Sequence, residues 1–144
     1  MNLLARREHS RAELARKLAR NIPVETETDV AANEIAAVLD ELERDNLLSN
    51  ARFAEALANA RAGRHGSLRL RSDLLNKGVP AALVAEQVST AREHDLATAR
   101  AVWQKKFPSP PMNAAERAKQ MRFLAARGFP AEVVRRVLGG QDED

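Results

Sequence analysis

The chain contains one motif twice, fifty positions apart, and this repeat limits the folds that it can adopt. Residues 74–81 read LLNKGVPA, and residues 124–131 read LAARGFPA. A glycine that follows a basic residue can end a helix in the left-handed conformation, and a proline two positions later pre-sets φ for the next helix. Each copy therefore predicts a helix that stops and another that starts almost at once.

A shorter form of the motif lies near the N-terminus, where Leu18 precedes Arg20, Asn21, Ile22 and Pro23. Asparagine is the usual substitute for glycine in left-handed backbone, so we expect Asn21 to end a helix there. Helical periodicity continues between the motifs, and no segment alternates like a strand. The sequence thus predicts an all-α protein of three tandem three-helix repeats.

The motif positions divide the chain into units at residues 1–48, 49–91 and 92–140, followed by an acidic tail at 141–144 that we expect to be mobile. Caps are expected from Ser10 with Glu13, from Asn46, from Ser67 and from Asn113. The predicted helices are a short or trimmed one at 2–8, one from residue 10, and those at 29–45, 50–62, 67–77, 80–90 and 93–106, one from 113, and 130–138.

The amino-acid composition predicts the cellular compartment of the protein. The absence of cysteine excludes disulfide bonds and thiolate metal sites and favours a reducing compartment. Nowhere does the chain hold the roughly 18 consecutive apolar residues that a membrane-spanning helix needs. We therefore expect a soluble, cytoplasmic protein without a membrane partner.

The charges are segregated along the chain, which the net charge of +3 conceals. Residues 25–45 hold eight acidic residues and one basic residue, whereas residues 61–77 hold five basic and one acidic, and residues 100–136 hold nine basic and two acidic. A polyanion is a plausible partner for the second half, although solvated helix faces would give the same counts. The candidate residues for binding DNA are Arg61, Arg64, Arg69, Arg71, Lys77, Lys105, Lys106, Arg117, Lys119, Arg122, Arg127, Arg135 and Arg136.

No constellation typical of an enzyme is present in the sequence. His9, His65 and His94 lack the i, i+4 spacing of a helical zinc site, and we expect them to be surface or satisfied polar residues. The loop at residues 63–66 could turn backbone amides toward a phosphate, but a turn needs its two glycines in any case. We expect no catalytic activity, no cofactor and no metal.

The helix pair at residues 67–90 raises the alternative of a sequence-specific reader of duplex DNA. A helix in the major groove needs several exposed hydrogen-bonding side chains, yet residues 80–90 offer mainly alanine, valine, Glu86 and Gln87. Aromatic residues make up only 3% of the chain, which disfavours a stacking platform for single strands. Trp103, beside two lysines, is the aromatic residue best placed to stack on a base, although we expect it in a core. DNA binding is therefore expected to be nonspecific.

Several blocks of the sequence resemble the RecX family of RecA regulators in their order and spacing. The blocks are residues 7–14 with Lys17 and Leu18, residues 35–42 and 47–54, Arg61, Gly66, Leu70, Leu74, Lys77, Gly78, and residues 122–124 and 127–129. The chain departs from the family pattern at Asn21, where glycine is usual, and at Asn50, where aspartate is common. Both are cap positions.

The resemblance implies three three-helix units in an elongated, curved molecule that binds the RecA filament on single-stranded DNA. It implies inhibition of the ATPase, strand-exchange and coprotease activities of RecA, in DNA repair, recombination and the SOS response. We expect a monomer, and we leave open whether double-stranded DNA, or DNA without RecA, is bound. From the residues alone two alternatives remain: a nonspecific DNA-binding protein without a recombinase target, and a helical adaptor between proteins.

Overall fold

The computed structural model of the protein describes residues 7–23 and 27–139, and within these ranges the chain forms seven helices and no strand. The prediction of an all-α protein is confirmed. Residues 2–6 of the predicted helix at 2–8 lie outside the described ranges, and its last two residues, Arg7 and Glu8, are not helical. The acidic tail at 141–144 also lies outside the described ranges. The helices are α1 (Arg11–Ala19), α2 (Thr28–Arg44), α3 (Asn50–Arg61), α4 (Ser67–Asn76), α5 (Ala81–Lys106), α6 (Ala114–Ala126) and α7 (Ala131–Val137).

Three separate hydrophobic cores follow one another along the chain, in the order of the predicted units. Leu14, Leu39 and Leu48 form the first core, between α1 and α2. The second core contains Phe53, Leu70, Leu74, Val79, Val84 and Val88, and the third contains Ala99, Val102, Leu124, Phe129, Val134, Val137 and Leu138. In the part of the chain that is described, no helix is long and apolar enough to cross a membrane.

The predicted break between helices 80–90 and 93–106 is wrong, because α5 is one helix of 26 residues. The segment between Thr90 and Glu93 contains neither glycine nor proline, so no residue there breaks the helical hydrogen bonding. The first half of α5 packs in the second core and the second half in the third. The unit boundary at residue 91 remains a prediction, and it falls inside a continuous helix.

Most of the predicted helix ends are confirmed. Gly78 and Gly128 have φ of +74° and +91°, as the repeated motif requires, and Asn46 ends α2 with φ of +60°. Ser10 forms a capping box with Glu13, and the Asn113 side chain accepts from the Glu116 amide at 2.9 Å. The chemistry of caps and stops is local, which is why the sequence predicts it well.

Two predicted caps are wrong. Asn21 is not left-handed, since Asn46 is the sole non-glycine residue with positive φ among the described residues. The Asn21 side-chain amide instead donates to the Lys17 carbonyl at 3.4 Å, which satisfies one end of α1 without a left-handed residue. Ser67 is not the N-cap of α4, a position that Gly66 occupies.

The N-terminus of α4 is capped by a carboxylate from another helix. Asp95, on α5, is 2% exposed and accepts from the Ser67 amide at 2.9 Å and from the Ser67 hydroxyl at 2.5 Å. A carboxylate satisfies amides at a helix N-terminus and complements the helix dipole there. Asp95 therefore holds α4 against the middle of α5, where the second and third cores meet.

The glycines of the repeat also join the second core to the third. The Gly66 amide donates to the Arg127 carbonyl at 2.8 Å, and the Leu68 amide donates to the Gly128 carbonyl at 3.0 Å. A Cβ added to Gly128 would lie under 3.0 Å from the backbone nitrogen and Cα of Arg69. The start of α4 thus approaches the α6–α7 turn so closely that only glycine fits.

The first core is joined to the second in the same way. The Ser10 hydroxyl donates to the Lys77 carbonyl at 2.5 Å, and a Cβ added to Gly78 would lie under 3.0 Å from the Ala12 Cβ. The turns at Gly78 and Gly128 therefore each contact the N-terminus of a helix from the preceding unit. The repeated motif encodes both a helix stop and a contact between units.

Glu13 strengthens the contact between the first two cores. Its carboxylate is 5% exposed, pairs with the Arg7 guanidinium, and accepts from Lys77 Nζ at 3.3 Å. Burial acts to raise the pKa of this carboxyl, but the hydrogen bond and charge of Arg7, with the charge of Lys77, lower it from 4.5 to about 2.

We expect Glu13→Gln to lower the free energy of unfolding by about 2 kcal/mol at neutral pH. A carboxyl whose pKa is lowered by folding stabilises the fold above its unfolded pKa, and the contribution is lost as the pH falls from 4.5 through about 2. The difference between wild type and variant should therefore shrink across that window. Urea denaturation at several pH values measures it, with exposed Glu86→Gln as the control; a constant difference would contradict the role of the ionised carboxylate.

Candidate nucleic-acid interface

The predicted basic residues differ in how firmly the fold holds them. Some of them bind other parts of the chain. For example, Arg61 Nε lies 2.8 Å from Asp73 Oδ2, Lys77 pairs with Glu13, and Arg117 Nη1 donates to the Leu138 carbonyl at 3.2 Å. These contacts hold α3 against α4, join the first core to the second, and bind the C-terminus of α7. DNA would have to displace these contacts, which lowers the affinity that these residues can contribute to DNA binding.

Other predicted residues extend into solvent from the helices of the third core and from α4. Lys106 is exposed and its Nζ lies 5.8 Å from the centroid of the Phe123 ring, which in turn meets Phe107 edge-on at 5.4 Å. This geometry holds a cation near the end of α5 without neutralising it. The further exposed members are Arg71, Lys105, Lys119, Arg122, Arg135 and Arg136.

The charges of four predicted arginines act on one imidazole, and we call this group with its imidazole the His65 cluster. It consists of Arg61, Arg64 and Arg69 from the α3–α4 region, Arg127 from the α6–α7 turn, and His65 itself. Arg127 Nη1 donates to the Arg64 carbonyl at 3.3 Å, so the cluster bridges the second and third cores. Burial, and the positive charges of Arg69, Arg61, Arg127 and Arg64, lower the pKa of His65.

The cluster keeps a positive charge after its internal ion pairs are counted. Arg61 and Arg69 share one carboxylate, Asp73, at 2.8 and 3.2 Å. The Arg127 guanidinium lies 5.0 Å from the Phe123 ring centroid, a contact that leaves its charge in place. Four guanidinium groups against one carboxylate create a local positive potential suited to a phosphate.

The glycine-rich loop contributes charge to this site rather than free backbone amides. The amides of Arg64 and His65 donate to the Arg61 carbonyl at 3.1 and 3.0 Å, and the Gly66 amide donates to Arg127. These amides are occupied by the turn and by the unit junction. The suggestion that this loop turns its amides toward a phosphate is therefore not supported at these three positions.

The histidines do not share one environment. His9 is 1% exposed, with Nδ1 3.1 Å from the Arg7 carbonyl oxygen and Nε2 3.1 Å from Lys17 Nζ, and it is satisfied as expected. His94 is exposed. His65 contradicts the expectation, since its buried Nδ1 has no hydrogen-bond partner among the described residues. Across the described ranges no group of histidine and carboxylate residues could hold a metal ion.

Trp103 belongs to the third core, as the sequence predicts. It is half-buried against that core, and its Nε1 donates to the Oε1 of buried Gln120 at 2.7 Å. The indole nitrogen is thus satisfied inside the protein. The alternative that this ring stacks on a base is not supported.

These features together define an all-α helical-repeat protein whose later units carry exposed basic surface. Two protein-family models match the chain: the RecX second three-helix domain at residues 49–86 and the RecX third three-helix domain at residues 93–138. Together they cover more than half of the sequence.

Curated relatives match over almost the whole chain. The regulatory protein RecX of Ralstonia pickettii is 42% identical over 143 residues, covering 99% of this chain and 86% of the relative. That of Leptothrix cholodnii is 44% identical over 144 residues, covering 100% and 87%, and that of Chromobacterium violaceum is 46% identical over 143 residues, covering 99% and 88%. The chain belongs to the RecX family.

Proposed function

We propose that this protein is a negative regulator of RecA that binds the RecA filament on single-stranded DNA and lowers its ATPase, strand-exchange and coprotease activities. The observation that carries this proposal is the near full-length similarity to proteins named regulatory protein RecX. The names of these relatives support a regulatory role, and we infer the affected RecA activities from the family. We further propose that the protein acts in the cytoplasm, as a monomer and without catalytic turnover.

The distribution of charge supports a composite target of DNA and protein. The basic side chains of α4 to α7 would face phosphates, and acidic α2 would face protein surface. On α2, Val30 and Val38 are 48% and 47% exposed, on the same helical face as exposed Glu34 and Glu41. An exposed apolar and acidic stripe is suited to a protein partner with basic residues around an apolar patch.

Two other functions are distinguishable from this one. A nonspecific DNA-binding protein would bind DNA equally well with and without RecA, and a helical adaptor would bind its protein partner without DNA. On α5 the exposed residues near its start are Ala81, Ala82, Ala85, Glu86 and Ser89, a set poor in donors for base edges. Sequence-specific readout is therefore not the proposed mode.

We expect the double variant Lys119→Glu/Arg122→Glu to weaken binding of single-stranded DNA equally for unrelated sequences. Both residues are exposed on α6, and each lost phosphate contact should reduce the slope of log affinity against log salt by about 0.7. Arg117 stays unchanged because it holds the Leu138 carbonyl. Fluorescence anisotropy over a salt series, with and without RecA, measures the effect.

The matched control is Arg20→Glu/Arg44→Glu, which changes the net charge equally but alters the ends of α1 and α2 in the acidic half. It should leave the salt slope unchanged. An equal loss in the control would show that net charge, and not the α6 surface, governs binding. A loss confined to one DNA sequence would indicate base readout instead.

A further inference from the structure

A cavity of about 470 Å³ opens beside the His65 cluster, between α3, the α3–α4 loop and the middle of α5. Its volume lies in the range of sites that hold a small ligand, roughly 300 to 1,000 Å³. Arg61, His65 and Gly66 form the side of the cavity that adjoins the cluster. The cavity is thus a recess in the surface next to the strongest local concentration of guanidinium groups described above.

The walls of the cavity combine apolar faces with a few polar groups. Ala58, Ala62, Leu70 and Ala91 supply apolar surface. Amide, hydroxyl and imidazole groups lie among them, contributed by Asn59, Gln87, Thr90, His94 and Thr98. A planar heterocycle with hydrogen-bonding edges is suited to such walls, whereas a purely apolar ligand would leave these groups unpaired.

Charge in and around the cavity favours a ligand with one anionic group at the cluster. Asp73 offsets one of the four guanidinium charges, and Asp95, which also lines the cavity, has its two oxygens occupied by Ser67. The buried Nδ1 of His65 has no hydrogen-bond partner among the described residues. Even with both carboxylates counted, the arginines remain in excess.

We propose that the His65 cluster and this cavity form a subsite for one nucleotide of single-stranded DNA. The phosphodiester lies against the guanidinium groups of Arg64 and Arg127, and the unpaired base enters the cavity. Each guanidinium also donates to one backbone carbonyl, from Arg64 Nη2 to Ala60 at 2.6 Å and from Arg127 Nη1 to Arg64 at 3.3 Å, so the phosphate binds their remaining N–H groups. A base in a duplex is stacked and paired and cannot enter, so the subsite selects single strands. No aromatic ring lines the cavity, and contact with the base is made by alanine and leucine faces and side-chain amides. This inference rests on the proposed function and adds a defined position to it.

The histidine rings provide a direct test in the full-length protein. His65 and His94 line the cavity, while buried His9 lies near the other end of the chain. Carbon–proton correlation spectra are recorded at about pH 7.5 during titration with thymidine 5′-monophosphate, inorganic phosphate or thymidine. We expect the nucleotide to shift both cavity histidines saturably and to leave His9 unmoved, and phosphate alone to shift His65 with about tenfold weaker affinity.

Two variants separate the parts of the subsite. Ala62→Trp places a ring in the cavity from an exposed position at the end of α3, and it should abolish the His94 shift while His65 still responds to phosphate. Arg64→Glu should weaken the nucleotide roughly tenfold, whereas Arg44→Glu, with the same charge change far from the cluster, should not.

The proposal is overturned if the nucleotide shifts neither cavity histidine at about 10 mM, or if His9 shifts equally. It is also overturned if Ala62→Trp leaves the His94 shift intact, or if Arg44→Glu weakens nucleotide binding as much as Arg64→Glu does. Preferential binding of an acidic peptide at the same rings would also overturn it, in favour of a protein contact. Inhibition of RecA is measured in parallel on the same samples. If the protein inhibits RecA but does not bind the nucleotide, only the subsite proposal is wrong. If it binds the nucleotide but does not inhibit RecA, only the proposed function is wrong.

Discussion

Replacing Gly128 by alanine is expected to lower the free energy of unfolding by about 3 kcal/mol, roughly three times the effect of Gly63→Ala. Both glycines have positive φ, +91° and +78°, so the left-handed penalty of about 1 kcal/mol is common to the two variants. Only Gly128 faces a packed neighbour. A Cβ there would lie under 3.0 Å from the backbone of Arg69, while a Cβ on Gly63 meets nothing within 4 Å.

The extra cost at Gly128 comes from separating two parts of the backbone. Moving α4 away from the α6–α7 turn weakens the hydrogen bonds that the Gly66 and Leu68 amides make there. Equilibrium urea denaturation of the two variants and the wild type measures the difference. Equal losses at the two glycines would show that Gly128 is needed for the turn alone and that the close contact between units is not important for stability.

The sequence predicted the helices and most of their ends because those features depend on residues a few positions apart. The motif with Gly78 and Gly128, the capping box at Ser10 and the cap at Asn113 all act within one turn. The two wrong predictions about helix ends also concern local chemistry. Asn21 satisfies a helix end through its side chain, and α5 continues where the repeat suggested a break, because the intervening residues include nothing that stops a helix.

Contacts between units could not be predicted in this way. Ser10 meets Lys77 across 67 positions, and Ser67 meets Asp95 across 28. Nothing in the local sequence of Asp95 distinguishes a buried carboxylate at a helix N-terminus from a solvated one. The motif indicated that glycine was required, but the second reason for it, the close approach of another helix, needs the three-dimensional arrangement.

The candidate site shows the limit of counting charges. The sequence ranks Arg61, Lys77 and Lys119 equally, although the first two pair with carboxylates and the third is exposed. His65 was expected to be an ordinary polar residue, yet the charges of four arginines from two units act on it. The basic residue before the glycine of each motif copy, Arg127 in this case, was the available signal, but it meets Arg64 from 63 positions earlier.

The proposed function is that this protein lowers the activity of RecA assembled on single-stranded DNA. We expect increasing amounts of the wild-type chain to reduce DNA-dependent ATP hydrolysis by RecA saturably, and Lys119→Glu/Arg122→Glu to need about tenfold more protein for the same reduction. Linked weak contacts along the filament give this sensitivity, since losing a few of them lowers the effective concentration of the rest.

The most direct measurement is therefore the rate of ATP hydrolysis by RecA on single-stranded DNA, at fixed salt, against the concentration of wild type and of Lys119→Glu/Arg122→Glu. We expect the wild type to inhibit hydrolysis and the α6 variant to inhibit it about tenfold less potently. A rate that stays unchanged at every concentration of the wild-type chain would contradict the assignment of this protein as a RecA regulator.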